Sequence, residues 1–330
     1  MRGGSAALTG RGGNGGIGGT NVGTWLRLSL ALSAFSALSA SSALAHDGEP
    51  LAPHDLWGAW SFEPGVVAAL AVTGWLYLRG VYALWRSAGE GRGVRRWEAA
   101  AFAAGWLVLV VALVSPMHEL GGVLFSAHMA QHELLMVVAA PLLVLGRPLV
   151  PFLWALPMSW RRTAGNWSAA GPVRRLWELL TLPLVAWAMH AVAIWLWHAP
   201  GLYQASVRGE GMHALQHVSF LATALLFWWA LLRGREGRLG RPSAVLYLFT
   251  TALHTTVLGA LLTFSARVWY PVYDWSTAPW GLTPLEDQQL AGLIMWVPAG
   301  LVYLIAALAI AATWLGEDER WSLRSARSQP

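Results

Sequence analysis

Apolar segments of membrane-spanning length recur along this chain and leave few other folds open to it. A helix needs about 20 apolar residues to cross the hydrocarbon of a bilayer. Hydrophobic residues make up 56% of the 330-residue chain and charged residues only 12%. The sequence therefore predicts an all-α, polytopic membrane bundle in the region 64–316, with seven transmembrane helices at 65–85, 97–115, 125–146, 176–197, 212–232, 243–264 and 289–315. Pro141, Pro183 and Pro298 are expected to interrupt or kink three of these helices.

Residues 1–45 have the composition of a leader rather than of a folded domain. Residues 1–23 are rich in glycine and lack an apolar face, so we expect them to be disordered. Arg27, the apolar stretch 28–38 and a small-residue site ending at Ala45 then follow the layout of a secretory signal peptide. We predict cleavage after Ala45, with an uncleaved anchor as the alternative. In either case residues 46–63 form an extracytoplasmic segment.

The arginines are distributed unevenly between the loops. All 22 cationic residues are arginine; 16 lie in alternate loops and the carboxyl-terminal tail, and two lie in the intervening loops. Because arginine-rich loops stay in the cytoplasm, we predict an amino terminus outside and a carboxyl terminus inside, with 317–330 as a cytoplasmic tail. Such clusters indicate topology among membrane lipids and not a nucleic-acid surface. The sixteen are Arg86, Arg92, Arg95, Arg96, Arg147, Arg161, Arg162, Arg174, Arg175, Arg233, Arg235, Arg238, Arg241, Arg320, Arg324 and Arg327, and the two are Arg208 and Arg267.

Seven histidines lie inside or at the rim of the predicted spans. Imidazole is costly to bury in hydrocarbon, so intramembrane ionisable residues usually face the protein interior and mark a site. Two His-x-x-x-His pairs place their rings on one face of a helix, as a metal ion requires. The predicted topology brings all seven, and Asp287 on the last span, to the outer half of the membrane. The candidate metal-binding residues are therefore His128, His132, His190, His198, His213, His217, His254 and Asp287.

The absence of cysteine narrows the chemistry of such a site. Disulfides and thiolate ligands are excluded, which leaves histidine, methionine, carboxylate or backbone oxygen. Neutral imidazole suits Zn, Cu, Fe and Ni, and histidines on facing helices can also hold haem. Asp287 either caps its own helix or orients a ligating imidazole, and His254 either binds a ligand or bonds between helices. We interpret the methionines in these segments as packing residues rather than Cu(I) ligands, namely Met117, Met129, Met136 and Met295.

Five stretches of the chain resemble the signature of the CtaG family of cytochrome c oxidase assembly factors, the polytopic membrane type. They are the segment from Ser115 to Pro148, IWLWHAPGLY at 194–203, HALQHVSF at 213–220, HTTVLGALLTF at 254–264 and DQQLAGLIMWVP at 287–298. They follow one another in the expected order and cover about residues 62–316. The polar motif positions of the family fall here on His128, His132, His198, His213, His217, His254 and Asp287.

The resemblance implies a non-enzymatic plasma-membrane protein of bacteria that helps to assemble a haem–copper oxidase. It further implies delivery of copper, expected as Cu(I), to the catalytic subunit of that oxidase. Two departures bear on this expectation. Glu133 stands where an aliphatic residue is expected in relatives. No fused copper-resistance-type membrane domain precedes the bundle, so we expect a separate extracytoplasmic copper donor.

Two other functions stay open at the level of the sequence. One is a haem-binding redox protein that moves electrons in the outer leaflet. The other is a structural assembly chaperone whose histidines hold helices together without metal. The sequence contains no identifiable nucleophile–base–acid set, so we do not predict an enzyme.

Overall fold

The computed structural model describes residues 51–169, 171–233 and 239–327, and every regular element within these ranges is a helix. The predicted leader at 1–45 lies outside them. The α-helices, in chain order, are α1 Pro64–Ala88, α2 Arg96–Val114, α3 Pro116–Val123, α4 Phe125–Glu133, α5 Ala140–Leu145, α6 Leu149–Ala155, α7 Met158–Ala169, α8 Gly171–Leu180, α9 Pro183–Trp197, α10 Pro200–Arg208, α11 Glu210–Leu232, α12 Arg241–Thr263 and α13 Pro284–Arg327. A π-helical segment, Leu134–Ala139, joins α4 to α5, so that Phe125–Leu145 is one continuous span.

Six helices of the described chain are long and apolar enough to cross a membrane, and a bent pair raises the number to seven. The all-helical, polytopic membrane fold predicted from the sequence is thus confirmed. The bent pair is α8 and α9, which meet at an angle of 63°. The span predicted over 176–197 is interrupted, as expected at Pro183: the chain breaks at Thr181 and Leu182 before Pro183 starts a new helix. Proline suits the first helical turn, where its missing N–H costs nothing.

The third span, Phe125–Leu145, is locally unwound in its middle. Pro141 provides no N–H group, so one carbonyl about a turn earlier loses its helical partner. The indole of Trp228 on α11 donates to the carbonyl of Met136, with a nitrogen–oxygen distance of 2.9 Å. The π-helical segment therefore ends in a satisfied backbone, and α11 is tied to this span. Such segments are frequent at functional sites.

Helices α12 and α13 cross in close contact, and glycines occupy the crossing point. A Cβ atom on Gly292 would lie 2.6 Å from the carbonyl oxygen of Gly259. The same atom would lie 2.5 Å from the Thr263 hydroxyl. Only a residue without a side chain allows this separation. Helix α13 also packs on α4, so the crossing helps to position the third span.

A buried carboxylate fixes one end of the bundle. Glu98 in the first turn of α2 accepts a hydrogen bond from the backbone N–H of Arg95 at 2.8 Å. Arg233, after α11, approaches the same carboxylate at 3.4 Å, and Arg147, after α5, approaches it at 3.9 Å. Two of the arginines interpreted as topology signals therefore also connect three spans. The histidines described below lie at the opposite ends of these spans.

Candidate metal centre

Five histidines from three helices form one cluster, which we call the histidine cluster. His128 and His132 lie on successive turns of α4, His213 and His217 lie on successive turns of α11, and His118 lies on α3. The ring centroids of His213 and His217 are 4.2 Å apart, and those of His128 and His132 are 4.4 Å apart. Between the two helices, His128 lies 5.2 Å from His213, and His132 lies 5.3 Å from His217. The two His-x-x-x-His pairs therefore face each other.

Three members of the cluster converge closely enough to bind one ion. One ring nitrogen from each of His128, His213 and His217 lies within 4.8 Å of the other two. In the described chain, the buried Nε2 atoms of His213 and His217 have no hydrogen-bond partner. Neither ring nitrogen of buried His132 has one among the described residues. Unpaired polar atoms in a buried site are costly, and a metal ion would satisfy them.

Both ring nitrogens of His128 face oxygen atoms. Its Nδ1 lies 3.2 Å from the carbonyl oxygen of Gly121, an acceptor. The hydroxyl of Tyr273 donates to the same carbonyl at 3.1 Å and lies 3.3 Å from Nδ1. The Nε2 lies 3.3 Å from the side-chain oxygen of Gln216, a second acceptor, so a neutral ring can donate to only one of the two. A backbone carbonyl behind the imidazole is the usual support of a metal-binding histidine.

His118 and Glu63 connect the cluster to the protein surface. The ring of His118 stacks on His213 at 5.2 Å and has a side chain only 13% exposed. Its Nε2 lies 3.5 Å from the carboxylate of Glu63, which is 47% exposed. Its Nδ1 accepts a hydrogen bond from the amide of Gln131 at 3.1 Å. The hydrogen bond and charge of His118 hold the pKa of Glu63 below its ordinary value, against a smaller effect of burial.

Asp287 holds the helix that carries two of the histidines. One carboxylate oxygen accepts from the backbone N–H of Phe125 at 2.7 Å, and the other accepts from the N–H of Ser126 at 3.1 Å. The hydroxyl of Ser126 also donates to this second oxygen. These are the first N–H groups of α4, which have no partner within their own helix. The structure therefore places Asp287 at the amino terminus of α4, rather than against an imidazole or as a cap of its own helix.

His198 lies beside the cluster, directly after α9. Its Nδ1 is 2.7 Å from the carbonyl oxygen of Ile194, and its Nε2 is 3.4 Å from the sulphur of Met129 on α4. The hydroxyl of Tyr270 donates to the backbone carbonyl of His198 at 2.8 Å. The rings of His198 and His132 both approach Phe220, at 6.4 Å and 4.7 Å.

His190 and His254 are placed in a separate group, deeper along α9 and α12. The Nδ1 of His190 is 3.1 Å from the hydroxyl of Thr223, and His254 stacks edge-on against Trp187 at 5.7 Å. Within the described residues, the Nε2 of His190 and both ring nitrogens of His254 lack partners. Among the described residues, no hydrogen bond or ring contact joins either of them to the histidine cluster. Glu133 ends α4 next to His132, and its buried Oε2 has no hydrogen-bond partner among the described residues.

The sequence reasoning thus grouped four residues that the structure brings together, His128, His132, His213 and His217. It did not include His118, which completes the cluster, or Tyr273 and Gln216 around it. His118 could have been found, because it lies in the first family-like segment and immediately precedes Glu119. Tyr273 and Gln216 contact His128 across 145 and 88 residues of sequence, respectively, and no spacing rule predicts such contacts.

The arrangement offers a compact set of neutral nitrogen ligands with one carboxylate at its entrance. Imidazole groups of this kind bind Zn, Cu, Fe or Ni, and the absence of thiolate disfavours a permanently closed site. The crowded rings, 4.2–6.2 Å apart, leave little room for a porphyrin plane between two of them. The geometry therefore fits a single small ion better than haem.

Comparisons with known proteins agree with this architecture. The sequence model of a family described as the cytochrome c oxidase caa3 assembly factor matches residues 75–317. Uncharacterized proteins of Mycobacterium bovis and Mycobacterium tuberculosis are 29% identical to the chain over 278 residues, covering 81% of this chain and 41% of each relative. An uncharacterized protein of Mycobacterium leprae is 29% identical over 283 residues, with the same coverage. The chain thus spans about two-fifths of the length of these curated relatives, and no solved structure matches it.

Proposed function

The chain belongs to the cytochrome c oxidase caa3 assembly factor family, and from this premise we propose that it binds copper at the histidine cluster for delivery to the oxidase. Membership implies association with a cytochrome c oxidase during its assembly. We propose the catalytic subunit of a haem–copper oxidase as the recipient and a separate extracytoplasmic protein as the donor. The protein acts as a binding and transfer factor, not as an enzyme.

The observation that carries the proposal is the convergence of His128, His213 and His217. Their ligand nitrogens lie within 4.8 Å of one another, and the Nε2 atoms of His213 and His217 are unpaired in the described chain. A buried ring nitrogen without a protein partner is usually satisfied by an ion or a water molecule. Copper is favoured among the possible ions because the family assembles an enzyme that contains it. Of the eight residues predicted from the sequence, four belong to the histidine cluster, Asp287 binds the start of α4 and His198 lies beside the cluster, whereas His190 and His254 form a separate group.

The entrance supports transfer rather than storage. Glu63 is exposed and His118, His213 and His217 are partly buried, whereas His128 and His132 are fully buried. Neutral nitrogen ligands with one carboxylate hold an ion less firmly than thiolates do. The charge asymmetry of the loops directs this entrance to the extracytoplasmic side of a bacterial plasma membrane. An ion can then enter from a donor and leave to a neighbouring subunit without crossing the bilayer.

Copper titration of the purified protein tests this function. We expect the wild-type protein, loaded anaerobically in detergent, to bind at least one equivalent of Cu(I) in competition with a chromophoric chelator. The double variant His128→Ala/His217→Ala removes two of the three converging ligands and should weaken this binding at least tenfold, by analogy with the effect of losing supporting groups. His54→Ala is the matched control, because that ring is 81% exposed and lies outside the cluster.

Four results would contradict the proposal. Copper far below one equivalent in the wild type excludes delivery from this site. Equal copper affinity in the double variant and in His54→Ala excludes the histidine cluster. A stoichiometric Soret band in the purified protein favours the haem-binding alternative, and variants that reduce protein abundance without changing oxidase copper content favour a structural chaperone.

A further inference from the structure

A nitrogen and a sulphur atom face each other at the inner edge of the histidine cluster. The Nε2 of His198 lies 3.4 Å from the Sδ of Met129. Both residues are buried, with 3% of His198 and 1% of Met129 exposed. The contact joins the end of α9 to α4, 69 residues apart in the chain. It is therefore a product of the fold and not of local sequence.

No proton is available to make this contact a hydrogen bond. The Nδ1 of His198 lies 2.7 Å from the carbonyl oxygen of Ile194, which can only accept, so Nδ1 carries the ring proton. In the neutral imidazole the other nitrogen then presents a lone pair. A thioether sulphur has no proton either. Two lone pairs thus point at each other in a buried site, where an unsatisfied polar atom is costly.

His132 supplies a third donor to the same region. It lies one turn after His128 and three residues after Met129 on α4, and residues three apart are neighbours on one face of a helix. Among the described residues, neither of its ring nitrogens has a hydrogen-bond partner. Its ring packs edge-on against Phe220 at 4.7 Å, and the ring of His198 approaches Phe220 at 6.4 Å. The apolar ring of Phe220 therefore lies on one side of the two imidazoles.

We propose that Met129, His198 and His132 form a second copper position, deeper than the cluster entrance and selective for Cu(I). Thioether sulphur is a soft ligand that selects Cu(I) over Zn(II), whereas imidazole alone binds both. Bonds of about 2.0 Å to nitrogen and about 2.3 Å to sulphur, as zinc makes in a tetrahedral site, separate the two ligand atoms by about 3.5 Å. The observed 3.4 Å fits ligation of one small ion by both atoms.

This position gives the protein two ligand environments in series. The entrance presents nitrogen ligands and the carboxylate of Glu63, and the inner position adds sulphur. Met129, which the sequence suggested was a packing residue, becomes the residue that sets the selectivity for the metal. The inference rests on the proposed function for the identity of the ion as copper. It does not depend on which oxidase receives the ion.

X-ray absorption at the copper edge tests the proposal on the full chain loaded with Cu(I). We expect a sulphur scatterer in the wild-type spectrum, its loss in Met129→Leu, and a fall of one equivalent in Cu(I) stoichiometry in that variant. Zn(II) binding should be unchanged, since the converging nitrogens of His128, His213 and His217 remain. Met136→Leu is the matched control. Met136 lies on the same span in the same hydrophobic core and is only 4% exposed, but the sulphur that contacts His198 is that of Met129.

The outcomes separate this inference from the proposed function. Copper bound with only nitrogen or oxygen scatterers in the wild type overturns the inner position and leaves copper delivery standing. A sulphur signal that persists in Met129→Leu overturns the assignment of Met129. A wild-type protein that binds no copper overturns both proposals. The wild-type spectrum decides the first point even if the variant does not fold.

Discussion

At the scale of single residues, the fate of Asp287 shows how one side chain can support a site without entering it. Its two carboxylate oxygens bind the first N–H groups of α4, the helix that carries His128 and His132. These N–H groups are the positive end of the helix dipole, so a carboxylate is their best acceptor. The acceptor comes from a helix 161 residues away in sequence, which explains why sequence reasoning could not choose between its possible roles.

Asp287→Ala tests this supporting role. The variant leaves buried N–H groups without an acceptor, which costs about 1–3 kcal/mol, and we expect a lower thermal unfolding midpoint in detergent. We also expect copper affinity to fall about tenfold, because the histidines of α4 lose their fixed position. Glu286→Ala is the control. Glu286 is the neighbouring residue, and its exposed carboxylate accepts hydrogen bonds only from Thr283. Loss of copper with an unchanged midpoint would instead make Asp287 a ligand.

At the scale of helices, the limits of the sequence are clear at two places. Hydropathy predicted the bounds of α1, α2, α11 and α12 to within a few residues, because the requirement to cross a bilayer acts on each segment separately. It did not predict the 63° angle between α8 and α9, although Pro183 was expected to interrupt that span, or the π-helical segment after Glu133. The π-helical segment depends on a partner elsewhere in the fold, the indole of Trp228 on the carbonyl of Met136.

The crossing of α12 and α13 gives a prediction at this scale. In Gly292→Ala the added methyl would lie 2.6 Å from the carbonyl of Gly259, so the helices must separate. Overpacking of this kind costs about 1–3 kcal/mol, and α13 also positions α4. We expect a lower unfolding midpoint in detergent than for Gly300→Ala. Gly300 lies on the same helix with no atom within 4 Å of an added Cβ, and equal midpoints for the two variants would contradict the close crossing.

At the scale of the whole molecule, chemistry and charge lie at opposite ends of the spans. The histidine cluster occupies α3 and the start of α4 and α11, with His198 beside it at the end of α9, whereas Glu98 binds Arg147 and Arg233 at the other ends of α2, α5 and α11. The histidines could be assigned to one end from the sequence, because alternate helices run in opposite directions. Their meeting in one cluster required the packing of α4 against α11, which no single segment specifies.

The orientation of this polarised molecule can be measured directly, because the chain contains no cysteine and introduced thiols have no background. Ala266 and Ser159 are exposed residues at the histidine end and the arginine end, respectively. Since arginine-rich loops stay in the cytoplasm, we expect an impermeant maleimide to label Ala266→Cys in intact cells and Ser159→Cys only after lysis. The reverse pattern would place the histidine cluster on the cytoplasmic side. Copper would then have to come from a cytoplasmic donor, and delivery from the extracytoplasmic face would be wrong.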